Sequence, residues 1–283
     1  MKVRLFDISE KFPMESGIFT VQKNLMLGLM ELDVEVQLTK NPCKADIVNL
    51  VYPALFSLKE LRKCRRIKLL YTVVEGKPLE PIPVKYERLV AHSRYACTMF
   101  GDLCDGYVQL GVAPERKRGR LGDIAVVFSY QTIEEGYIHK GKDLYEAFFA
   151  RYKFKTVCSR VAPFSFCDVK VDKPWLYADV LLFLSRVEGF GLPVMEAMSS
   201  GTLPVYLDAP AVNEFADGIS IHAKYRRTLI SKAVRQAMPL YEPESDVAIY
   251  TAVKYGLALA RSGWSTDKWR SHRQMAKELL EYL

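Results

Sequence analysis

Residues 178–205 read ADVLLFLSRVEGFGLPVMEAMSSGTLPV. The opening ADVLLFLS is an almost unbroken apolar run ending at Ser185, the pattern of a strand buried on both faces. RVEGFG then forms the loop that leaves it. Gly189 and Gly191 allow close approach of the backbone and unusual φ angles. Pro193 suits the first turn of a helix, where its missing N–H costs nothing. VMEAMSS continues that helix, and Gly201 suits its stop. Backbone N–H groups around Gly191 and Leu192 would lie at the positive end of the helix, a setting for a phosphate. Glu188 precedes the helix and Glu196 lies one turn inside it. A carboxylate repels phosphate but accepts well from pairs of sugar hydroxyls, so the stretch suits a nucleotide-sugar. The same residues also make an ordinary glycine turn into a helix with no ligand.

The pattern extends in both directions. KVRLFDIS, VEVQLT, DIVNLV, RIKLLYTVV, ERLVAHS and YVQLGV read as strands. A helix follows Ser16 as N-cap, with Val21, Leu25, Leu29 and Leu32 at helical spacing. SLKELRK and RYACTMFGDL also read as helices. The basic APERKRGRLGD interrupts the series, and the alternation restarts with IAVVFS, the helix GKDLYEAFFARY, KTVCS, ADVLLFLS and LPVYL. Strands alternating with helices predict a parallel α/β sheet in each half. We expect domains at 1–113 and 114–262, then a helical segment at 263–283 with Trp269, Ala276, Leu280 and Leu283 on one face. Ligands of such sheets bind beyond the carboxyl ends of the strands, where these loops converge.

Composition narrows the classes. The 283 residues are 49% apolar or aromatic, enough for two buried cores. No run is long and apolar enough to span a membrane. Asp7, Glu10 and Lys11 interrupt any leader core, so the chain reads as cytoplasmic. Its +7 charge favours anionic partners such as phosphates, nucleic acid or an anionic membrane touched peripherally. The run Glu115–Arg120 reads as a solvated linker. The six cysteines lack any Cys-x-x-Cys pair and the four histidines do not cluster with them, so we expect reduced buried thiols and no metal site.

SRVEGFGLPVMEAMSSGTLPV resembles the signature of the family 4 glycosyltransferases, including the spacing from Glu188 to Glu196. HKGKDLYEAF at 139–148 resembles the family's Lys-Gly segment, APAVNEFADG its following loop with Glu214, and GWSTDKWRSHRQMAKELL its final helix. The resemblance covers most of the second half and is weaker in the first, where Gly17 fits the glycine loop near the donor phosphates. It implies the GT-B fold, two Rossmann-like domains facing across a cleft, with the last helix crossing back to the first.

It also implies a retaining enzyme, hexosyltransferase-like, that needs no metal or other cofactor and uses a nucleotide-sugar, UDP- or GDP-linked, as donor. The implied acceptor is a glycan, a lipid-linked sugar or a small molecule. Alternatives are glycosylation of modified DNA bases and an inactive module that only binds nucleotide-sugar or glycan. By the same resemblance Lys140 touches the diphosphate, Glu196 holds the ribose, Glu188 holds the donor sugar, and Gly189, Phe190, Gly191 and Leu192 line the donor. Glu75 stands near the position of the family's histidine and is a candidate catalytic contact. Ser129 and Tyr130 stand where the family has a diphosphate-binding arginine, for which Arg186 or Arg160 could substitute. His92 could line the cleft or be packed, and His139 reads as a loop residue.

Overall fold

In a computed structural model, which describes residues 1–11, 16–128 and 138–283, the chain divides into two compact units. The first comprises Met1–Ala113, Ile230–Ala237 and Arg270–Leu283, and the second Pro114–Leu229 and Met238–Trp269.

The first unit holds β1 (Lys2–Phe6), α1 (Gly17–Met30), β2 (Glu35–Thr39), β3 (Ile47–Val51), the short α2 (Ala54–Ser57), β4 (Ile67–Val73), β5 (Lys77–Pro78), β6 (Tyr86–Ala91), α3 (Arg94–Phe100) and β7 (Gly106–Tyr107). Six of the strands form a parallel sheet in the order β2-β1-β3-β4-β6-β7. The order reverses between β1 and β3, so the crevice of this unit opens at the carboxyl end of β1, just before Gly17. Ser16 caps α1 by accepting the Phe19 N–H at 3.4 Å. The segment SLKELRK, which reads as a helix, contains only a 3-10 turn at Leu61–Lys63. Cys64 ends that turn in extended backbone and is disulfide-bonded to Cys43.

The second unit holds β8 (Gly122–Val126), α4 (Lys142–Arg151), β9 (Thr156–Ser159), β10 (Val169–Val171), β11 (Ala178–Phe183), α5 (Leu192–Ser199), β12 (Leu203–Leu207), β13 (Ile219–Ile221) and α6 (Asp246–Arg261). Its strands are parallel in the order β10-β9-β8-β11-β12-β13. This is the dinucleotide-fold order, with its switch point between β8 and β11. β11 is thus central and buried, as its apolar run predicts. Val180, Leu182, Val205, Ile249 and Val253 share one core beneath α4 and α6. The run at 115–120 is solvated over residues 116–120, as expected, but it is anchored to the second unit. Arg118 donates its N–H to Leu176 O, and the Arg120 guanidinium joins Asp123 and Asp179.

Several features were absent from the sequence reading, among them β10, β13 and α6. A hairpin, β14 (Ala223–Ser231) and β15 (Gln236–Pro243), follows β13, and its tip at Ile230–Ala237 groups with the first unit, where β15 pairs antiparallel with β5. All six cysteines are paired, as Cys43–Cys64, Cys97–Cys104 and Cys158–Cys167, rather than reduced. Their Cα atoms, 5.0 to 5.8 Å apart, are brought together by the fold and not by any local motif.

The closing helix α7 is shorter than its sequence suggests, His272–Leu280. Trp269 lies outside it, and residues 263–269 stay with the second unit, whose core Trp264 joins. Ser271 and Gln274 form a capping box, and Met275, Ala276 and Leu279 make the buried face. α7 packs on α1 at Gly28, where a Cβ would stand 2.2 Å from His272 O.

Candidate functional site

β11 delivers the chain to the switch point of the second unit, and Leu184–Gly191 forms the loop beyond it. Gly191 has φ +98° and N-caps α5; a Cβ there would be strained by its backbone and would meet Val212 Cγ2 at 2.8 Å. No side chain caps α5, and Pro193 occupies its first turn. The amino end of this helix is therefore built from backbone alone, the requirement for receiving an anion.

The Lys-Gly segment is laced onto this loop. Gly141, φ +73°, passes so close to the end of β11 that a Cβ would lie 2.1 Å from Leu184 O. The Tyr145 hydroxyl of α4 donates to Leu182 O (3.0 Å) and accepts from the Leu184 N–H (2.9 Å). The Arg186 N–H donates to His139 O at 2.8 Å. As a result Lys140 Nζ reaches Glu188 Oε1 at 2.8 Å, with both side chains largely buried. Two candidates separated by 48 residues in sequence are in contact.

Arg186, offered above as a substitute for the family's arginine, is committed elsewhere. Its side chain is 4% exposed and forks onto Asp143 (2.6 and 2.7 Å), with a further bond to Ile138 O at 2.6 Å. Burial pushes the Asp143 carboxyl up, but the Arg186 hydrogen bonds and charge more than offset this and hold it below its ordinary value. Arg160 pairs with Asp172 on the surface. Ser129 and Tyr130 lie outside the described residues.

Glu196 is partly buried on the second turn of α5. Burial raises its carboxyl to about 8; the Lys173 ammonium pulls down and the Glu115 carboxylate pushes up. Those two form an ion pair with each other. Leu192 opens α5 and Gly189 is buried in the loop. Phe190 is packed rather than presented. Its ring is 3% exposed and stacked on Phe215 with centroids 4.4 Å apart.

Gly17 and Glu75 belong to the first unit. Gly17 opens α1 with empty space where its Cβ would point. Glu75 follows β4, and its backbone is tightly held. The N–H groups of Glu75 and Gly76 both donate to Gln236 Oε1, at 2.7 and 3.0 Å, and the Tyr95 hydroxyl donates to Glu75 O. Sequence reasoning missed Gln236, a buried polar residue at the start of β15. His92 is packed and does not line a cleft. It is 2% exposed, lies against the Tyr71 ring and contacts Asn49 Oδ1 through Nε2, and burial lowers it to about 3. Among the described residues there is no cluster of His, Cys, Asp or Glu that could hold a metal, and no helix long and apolar enough to cross a membrane.

Residues 162–249 match the family model for glycosyl transferases group 1, a range that contains Glu188 and Glu196 but not Lys140. A 42-residue stretch is 57% identical to Putative glycosyltransferase ORF330 of Acidianus filamentous virus 2, and a 40-residue stretch 60% identical to the correspondingly named protein 48 of Sulfolobus islandicus filamentous virus. These alignments cover 15% and 14% of this chain and only 13% of either viral protein. Among solved structures, Anabaena Alr3699/HepE in complex with UDP-glucose aligns with TM-score 0.58 at 13% identity over 100% of both chains. The lipopolysaccharide outer core galactosyltransferase WaaB in apo form aligns with TM-score 0.58 at 11% identity over 100% of this chain and 99% of that one. The chain thus has the two-unit α/β fold of the GT-B glycosyltransferases, and a segment of its second unit matches their group 1 family model.

Proposed function

We propose that the protein is a retaining glycosyltransferase that moves a sugar from a nucleotide donor, UDP- or GDP-linked, to a glycan, lipid-linked or small-molecule acceptor. The observation that carries this reading is the Lys140–Glu188 contact beside the glycine-capped amino end of α5. A diphosphate bound at that helix end would draw the Lys140 ammonium away from Glu188. Lysine and helix amides would then meet the negative charge that grows as the sugar–phosphate bond breaks, so the reading requires no metal. Glu188, released from Lys140, would hold the donor sugar near its anomeric centre. Glu196, once ionised, would accept the ribose hydroxyls. Front-face departure and attack on one side of the sugar accounts for retention without a covalent intermediate. Glu75 and Gly17 stand at the carboxyl edge of the first unit's sheet and are proposed as acceptor-side and phosphate-side contacts.

A second reading, a module that binds nucleotide-sugar without turnover, is favoured by one observation. Both arginines offered as replacements for the family's are engaged with aspartates.

A thermal-shift panel of UDP, GDP, ADP, CDP and dTDP with their sugars tests the donor site on wild type, Lys140→Ala and Glu196→Ala. A ligand at a hundredfold its Kd adds about 2.7 kcal/mol to the unfolding free energy. One nucleotide should stabilise wild type and lose most of its effect in both variants. No shift with any nucleotide in folded protein would reject the donor site. A shift without donor turnover or hydrolysis would leave the non-catalytic module.

A further inference from the structure

The chain carries a net +7, and the structure shows where that excess lies open. Part of it is at 115–120, where Glu115 and Arg120 are held in ion pairs but Arg116, Lys117 and Arg118 are exposed. A second cluster is in the first unit, where two 3-10 turns, Pro42–Lys44 and Leu61–Lys63, meet and are clamped by the Cys43–Cys64 disulfide. The chain then enters β4 beside the start of β6, Ile67 N–H donating to Lys85 O at 2.8 Å. Lys44, Arg62, Lys63, Arg65, Arg66 and Lys85 are exposed around this junction. The neighbouring acids do not cancel them. Asp46 is answered by Arg4, Glu60 by Lys11, and Glu87 stands 3.9 Å from Arg66. The other five cations form no ion pair among the described residues.

This surface sits at the amino ends of β4 and β6, the edge of the sheet opposite Glu75 and the switch point. It therefore lies away from the candidate site of its own unit. We infer that it is a docking surface for the phosphate backbone of duplex nucleic acid. Arginine forks match phosphate oxygens, and the disulfide-clamped backbone beneath them loses little freedom on binding. A membrane surface fits less well, because none of the large exposed apolar side chains falls within 42–44, 59–68 or 85–88 to enter an interface. No exposed aromatic stands in these segments as a platform for unstacked bases, which favours duplex over single strand. This inference is independent of the proposed transferase reaction.

The test is fluorescence anisotropy with a labelled 20-base-pair DNA duplex across a salt series. Wild type should bind at low salt with a log K against log salt slope of about −3 to −5, the release expected for four or so phosphate contacts. Arg62→Glu/Lys63→Glu/Arg65→Glu should weaken binding at least tenfold and flatten the slope. Lys23→Glu/Lys254→Glu/Lys277→Glu, with the same change in net charge on other exposed faces, should bind nearly as wild type. Circular dichroism melts keep misfolded variants out of the comparison. Equal losses in the two variants would reassign the effect to bulk charge. Absence of binding at 50 mM salt, or capture by anionic phosphatidylglycerol vesicles with none by duplex, would overturn the proposal.

Discussion

Glu196 is the residue whose chemistry the structure changes most. Its carboxyl, raised to about 8, is mostly protonated at neutral pH in the free protein. The unfolded chain gives up that proton near 4.5. The stability this group contributes is therefore complete below about 4.5 and lost as pH rises through about 8. Ribose hydroxyls prefer the ionised form, so nucleotide binding should expel a proton. We expect nucleotide affinity to rise up to tenfold per pH unit between 6 and about 8 and then level off, with calorimetric enthalpies that differ between phosphate and Tris buffers. Glu196→Gln should flatten the profile, and a profile unchanged in that variant would remove Glu196 from the ribose. Arg186 acts by position. It joins Ile138 and Asp143 to the loop carrying Glu188, and so sets where Lys140 lies. Arg186→Lys keeps the charge but not the fork, and should weaken nucleotide binding roughly tenfold, a loss of about 1.4 kcal/mol. Unaltered binding with an unaltered Tm would show that the fork positions nothing.

At the scale of elements, the stretch from β11 through α5 was legible because several signals agree within it. A buried strand, a glycine at positive φ, a proline in the first turn and a small-residue stop can hardly form anything else. The hairpin was not legible. β14 is exposed along most of its length and lacks the apolar alternation that marks a half-buried strand, while β15 alternates but contains Pro239. The disulfides were equally hidden, since Cys158 and Cys167 meet only when β9 and β10 lie side by side. That strap closes a loop with a sequence separation of 9. In the chain-entropy account it stabilises by roughly 2–3 kcal/mol. Cys158→Ser/Cys167→Ser should lower the denaturant midpoint of the second unit accordingly. Iodoacetamide should label none of the six cysteines of unreduced protein, even when unfolded, and labelled cysteines there would contradict the pairing.

At the scale of the molecule, alternation along the chain announced two parallel α/β sheets, and their strand orders place a switch point ahead of Gly17 and another at the Glu188 loop. Alternation cannot announce which late segments return to the first unit. That is decided by matched surfaces far apart in sequence, such as Gly28 against His272 and Gln236 against the backbone of Glu75 and Gly76. The chain passes from one unit to the other four times, after Ala113, Leu229, Ala237 and Trp269. Neither half is therefore a contiguous module at the level of the gene. A recombination event with one crossover at residue 113 would bring a donor half together with a foreign partner for its hairpin tip and for its closing helix. Inheritance of such halves is constrained to exchange three separate segments together, or to carry over both glycine and glutamine contacts with them.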